Sequence, residues 1–101
     1  MVLLTLGDIS HIIERRNQIP AISKFYGITV MTHPKDHNPP QVHAAMGQIS
    51  ASFAISSGEL MAGSHFPPTG SKLVKEFILR HQNELLEMWE TRKYKKLEPI
   101  E

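Results

Sequence analysis

The sequence predicts an α+β fold: an antiparallel meander of three to four strands covered by one long C-terminal helix, with a short N-terminal helix ahead of the sheet. Two observations carry this expectation. Residues 48–55 alternate strictly, with Ile49, Ala51, Phe53 and Ile55 on one face and Gln48, Ser50, Ser52 and Ala54 on the other. Residues 73–89 carry apolar side chains at a period near 3.6, namely Leu73, Val74, Phe77, Ile78, His81, Leu85, Met88 and Trp89, with Leu86 at the edge of the stripe. A sheet with one apolar face needs a cover, and a helix with one apolar stripe needs a base.

The elements follow in chain order. Asp8 is a fair N-cap, and Ile9, Ile12 and Ile13 recur at helical spacing, so a short helix is expected over residues 8–16, before Pro20. The β-branched and aromatic run from Phe25 to Met31 predicts a strand at about 27–33. Val42 to Met46 is a second strand, with its turn at Gly47, and residues 48–55 are the third. Ser56-Ser57-Gly58 marks a turn into a short strand from Leu60 to Ala62. Pro67 and Pro68 end the β pattern. Thr69 or Ser71 is then expected to cap one helix reaching about Lys93. That helix crosses the sheet face made by Ile49, Phe53 and Ile55, and Leu97 and Ile100 anchor the tail. The small, polar opposite face is left to water, to the N-terminal helix or to a second chain.

The chain has 101 residues, 41% of them apolar and 21% charged, which is the composition of one globular domain. It has no cysteine, so disulfide frameworks and thiolate metal sites are excluded. No apolar run approaches the ~20 residues of a membrane-spanning helix. No basic leader precedes the first apolar run, and a soluble, cytoplasmic protein is expected. The net charge of +1 gives no general attraction to nucleic acid. Basic residues do cluster, with Arg15, Arg16 and Lys24 near the start and Arg92, Lys93, Lys95 and Lys96 near the end. Brought together, Arg15, Arg16, Lys24 and Lys93 would make a nucleic-acid-binding patch; kept apart, they are solvated faces and complements to a helix C-terminus.

The densest chemistry lies in Asp36-His37-Asn38-Pro39-Pro40-Gln41-Val42-His43. Two prolines exclude this stretch from a helix or a central strand, so it is a loop of constrained shape. Asp36, His37 and His43 are the candidate catalytic residues. Two imidazoles that accept and donate protons near neutral pH suit general acid–base cleavage of RNA. The same residues equally suit a loop locked by Asp and Asn turns and by histidine bonds to backbone. His-x5-His is not a diagnostic metal spacing, and His33 or His65 would have to supply a third ligand, so no metal or other cofactor is expected. His81, within the apolar stripe, is expected to be a hydrogen-bonded core histidine. No nucleophile elbow and no phosphate-binding glycine loop is present.

Three segments resemble the family catalogued as domain of unknown function 4160: residues 19–28, reading Ile-Pro-Ala-Ile-Ser-Lys-Phe-Tyr-Gly-Ile; the Asp36–His43 element; and Glu84-Leu85-Leu86-Glu87-Met88-Trp89-Glu90 followed by Leu97-Glu98-Pro99-Ile100. The resemblance covers about residues 19–101, which makes residues 1–18 an N-terminal extension to a single domain. It implies pairing with a small companion protein of another unknown-function family, 2442, in what looks like a toxin–antitoxin module. The chain departs from the family pattern at Gln41, where a third histidine is common, and at His33-Pro34, where an aromatic stretch is typical. Two functions are therefore carried forward. One is a toxin-like protein acting on RNA. The other is a non-enzymatic interaction module that binds the companion or forms a homodimer.

Overall fold

The structure is a computed structural model and describes residues 21–33, 37–63 and 65–101. The expected helix at 8–16 and the basic residues Arg15 and Arg16 lie outside the described residues. Among the described residues, five antiparallel strands form one sheet in chain order: β1 (Ala21–Phe25), β2 (Ile28–Met31), β3 (Gln41–Met46), β4 (Ile49–Ala54) and β5 (Leu60–Ala62). Two helices follow, α1 (Pro68–Arg80) and α2 (Gln82–Thr91). The fold is α+β, as expected from the patterns, with two corrections.

The first correction is a fifth strand. The strand expected at about 27–33 is β2, which stops at Met31, and it is preceded by the unexpected β1, since Phe25 pairs with Ile28 across the two-residue turn Tyr26–Gly27. Both turn residues have positive φ, 48° and 79°, as the tight hairpin turn that matches strand twist requires. Glycine adopts this freely, and Tyr26 is held in it as a residue 59% exposed.

The second correction concerns the helix. The apolar stripe runs on as expected, but the backbone breaks at His81, with φ −114° and ψ 25°. Tertiary bonds account for the break. Gln82 Nε2 donates to the Ile55 and Ser56 carbonyls at 2.8 and 2.9 Å, tying the start of α2 to the end of β4 and its turn. Neither Thr69 nor Ser71 caps α1. Its N-cap is Pro67, with Pro68 at the first helical position, where a missing N–H costs nothing.

Register sets the faces. The pairs Val30↔Ala44↔Ala51 and Val42↔Phe53 line one side of the sheet, and all of these residues are buried. Val74, Phe77 and Ile78 of α1 and Leu85 and Met88 of α2 close over that side in one continuous core. Phe77 meets Phe25 at 5.1 Å between ring centroids, and Phe53 meets Phe66 edge-on at 5.4 Å. Ile49 is on the same side but 40% exposed, because it sits at the Gly47 turn beyond the reach of the helix. The opposite side carries the row Met31↔His43↔Ser52↔Ala62.

After α2 the chain runs back as an irregular strap. Leu97 and Ile100 are buried, and the Leu97 amide donates to the Ile22 carbonyl of the edge strand β1 at 2.8 Å. Among the described residues, no helix is long and apolar enough to cross a membrane.

Candidate functional site

The Pro-rich segment joins β2 to β3, at the rim of the sheet where β4 ends and α2 begins. Gln41, the first residue of β3, organises it. Its side-chain amide donates to the His37 carbonyl at 3.1 Å and to the Pro39 carbonyl at 3.0 Å. The peptide between Asn38 and Pro39 is cis, and the Pro40 carbonyl accepts from the Ile55 amide at 3.0 Å. A buried carboxamide that satisfies two backbone carbonyls fixes a loop whose prolines have removed its own donors. Gln41 is therefore the loop's clamp.

The histidines separate into two groups. His43, half-buried on β3, faces His33, with ring centroids 5.7 Å apart and planes at 63°. Cross-strand geometry explains the meeting. Met31 is directly opposite His43, and His33 lies two residues further along on the same side, the diagonal distance that long or aromatic side chains span. His37 is exposed, tied into the loop by its backbone carbonyl. Asp36 lies outside the described residues. Among those residues, no group of three or more histidines and carboxylates has metal-binding geometry.

A cation reaches the backbone of His33. Arg92 ends α2 in the left-handed conformation, with φ 58°. Its guanidinium lies 4.2 Å above the Trp89 ring and reaches the His33 carbonyl at 3.4 Å. Arg92 is thus the link between the helical layer and the histidine rim. The left-handed turn at Arg92 folds its side chain back over Trp89. Reading Arg92 only as part of a basic cluster missed it. Lys24 is exposed on β1 and Lys93 is exposed after α2, where its amide bonds the Thr91 hydroxyl at 3.2 Å.

His81 is buried and fully bonded, as its place in the stripe predicts. Nδ1 lies 2.8 Å from Glu84 Oε1, and Nε2 lies 2.7 Å from the Glu98 carbonyl. The His81 hydrogen bond, helped by Lys95 and opposed by partial desolvation, holds the Glu84 carboxyl below its ordinary pKa.

No curated protein and no solved structure matches the chain significantly. One family model matches residues 26–90, a stretch that takes in the Tyr26–Gly27 turn, the clamped loop, His33, His43 and both helices up to Glu90. The chain therefore belongs to the family described as Domain of unknown function (DUF4160).

Proposed function

We propose that the protein is a toxin-like partner in a bacterial two-gene module and that it acts on RNA at the histidine rim. The observation that carries this reading is the close pair of His33 and His43 beside the Trp89-stacked guanidinium of Arg92. Two imidazoles at one rim provide a base and an acid near neutral pH. One ring takes the proton of a ribose 2′-hydroxyl, and the oxygen attacks the adjacent phosphorus. The other, as imidazolium, protonates the departing 5′-oxygen, leaving a 2′,3′-cyclic phosphate and a free 5′-hydroxyl. In this reading the exposed His37 meets the substrate backbone, and the exposed Lys24 and Lys93 contribute positive charge to RNA binding. Asp36 remains the carboxylate that the sequence supplies to this loop.

The test is direct. Purified protein is incubated with an end-labelled RNA oligonucleotide in the presence of a chelator, and product ends are identified. Cleavage to cyclic-phosphate ends, reduced about 100-fold or more in His33→Ala and His43→Ala, is expected. Undiminished cleavage in the double variant, or none in the parent, overturns the assignment.

A second reading rests on a different observation. Strand β5, at the sheet edge, presents Leu60 and Met61 at 40% and 41% exposure. A non-enzymatic module would use that edge to bind the companion protein. Co-expression followed by gel filtration decides it: a stoichiometric complex lost in Met61→Lys supports the edge, and a homodimer or a lone monomer argues against it.

A further inference from the structure

His81 has an acceptor on each side. Glu98 offers a backbone carbonyl, which only accepts, so Nε2 must carry a proton at 2.7 Å. Glu84 offers a carboxylate held in its charged form, so Nδ1 must carry one too, at 2.8 Å. Only the doubly protonated ring satisfies both. The other groups packed around the ring do not change this requirement. From α1 come the Phe77 ring, at 4.8 Å between centroids, and Arg80, which is paired with Glu76. From the strap comes Lys95, whose Nζ lies 3.5 Å from the other oxygen of Glu84.

The two bonds are unequal. A charge-assisted bond to a carboxylate is stronger than a bond to a neutral carbonyl. When the ring gives up one proton, it keeps Nδ1–H on Glu84, and Nε2 turns a lone pair towards the Glu98 oxygen. That contact becomes repulsive. Glu98 immediately follows Leu97, whose amide bond to Ile22 and buried side chain fasten the strap to the sheet edge. The same strap begins at Arg92, which reaches the His33 carbonyl.

We propose that His81 is a proton-operated latch: the doubly protonated ring holds the C-terminal strap against β1, and loss of the Nε2 proton releases it. Glu84 is the positioning residue that decides which nitrogen keeps its proton. Release uncovers the Ile22 carbonyl on the edge strand and loosens the segment that carries Arg92.

The experiment uses the full chain labelled with ¹⁵N. The ring nitrogens are read by long-range NMR correlation and the Leu97 amide by its hydrogen-exchange protection factor, at about pH 5.5 and about pH 8.5. The latch predicts both ring nitrogens protonated at the lower pH and Nδ1–H alone at the higher. Leu97 protection falls about tenfold between the two while that of Val30 in the sheet does not. In Glu84→Gln the neutral ring is free to keep Nε2–H on Glu98, so Leu97 protection no longer changes with pH. Three results each overturn the proposal: Leu97 protection independent of pH in the parent chain, a neutral ring that keeps Nε2–H in the parent chain, or a pH response in Glu84→Gln equal to the parent's.

Discussion

The imidazole of His43 meets that of His33 edge-on, 5.7 Å away, at the mouth of a loop whose backbone is clamped by Gln41. His43 is on β3, opposite Met31, and His33 stands two residues past the end of β2, so the Met31↔His43 register and the first residues of the loop together bring the rings close. His33 is exposed, and its ring forms no part of the core. His33→Ala is therefore expected to change folding stability by no more than about 0.5 kcal/mol, measured by urea denaturation. A larger loss would mean that the ring pair is structural, and a fall in activity in this variant could no longer be assigned to chemistry.

Gln41 makes the opposite prediction. Gln41→Ala deletes two bonds to the His37 and Pro39 carbonyls from a buried position. The cost is expected to be about 1–3 kcal/mol, with faster hydrogen exchange over residues 37–43. Gln41→His, whose neutral ring has one N–H donor, cannot donate to both carbonyls and is expected to fall between the parent and the alanine variant. An unchanged melting temperature in Gln41→Ala would remove the clamp from the account.

Two glycines separate conformational strain from steric clash. Gly47 turns β3 into β4 at φ +64° with open space around it, so Gly47→Ala is expected to cost about 1 kcal/mol. Gly63, leaving β5 at φ +99°, would place a Cβ 2.6 Å from that of Ala51 and 2.7 Å from the Ser50 carbonyl. Gly63→Ala carries the strain and the clash together and is expected to cost about 3 kcal/mol or more. Equal losses at the two sites in chemical denaturation would contradict the close seating of the β5 end against β4.

Glu84 gives a pH dependence with a definite sign. Its carboxyl is held below the ordinary range, first by the His81 bond and also by Lys95. A group whose pKa is lower in the folded chain contributes stability above its unfolded value and loses it as pH falls through the folded one. The stability advantage of the parent over Glu84→Gln is therefore present at neutral pH and shrinks on acidification below the ordinary carboxylate range. An advantage that grows as pH falls through and below the carboxylate range would contradict the assignment.

Much of this fold was legible because alternation and helical period report burial directly. Ala51, Phe53 and Ile55 are core, and so are Val74, Phe77, Ile78, Leu85 and Met88. The β1–β2 hairpin was not legible because Tyr26 occupies a positive-φ position that usually announces itself with asparagine or aspartate. The break at His81 was hidden because the stripe passes through it without glycine or proline; its causes are the distant Ile55, Ser56 and Glu98 carbonyls. The histidine loop stood out by composition. The pairing of His33 with His43 depends on a strand register that periodicity does not specify, and the bond between Arg92 and the His33 carbonyl joins residues 59 positions apart.

Incubation of the purified chain with labelled RNA, beside a His33→Ala/His43→Ala double variant shown by circular dichroism to be folded, decides whether the histidine pair cleaves RNA. Cyclic-phosphate products are expected from the parent, with a loss of about 100-fold or more in the double variant. A folded double variant that cleaves as fast as the parent would contradict it.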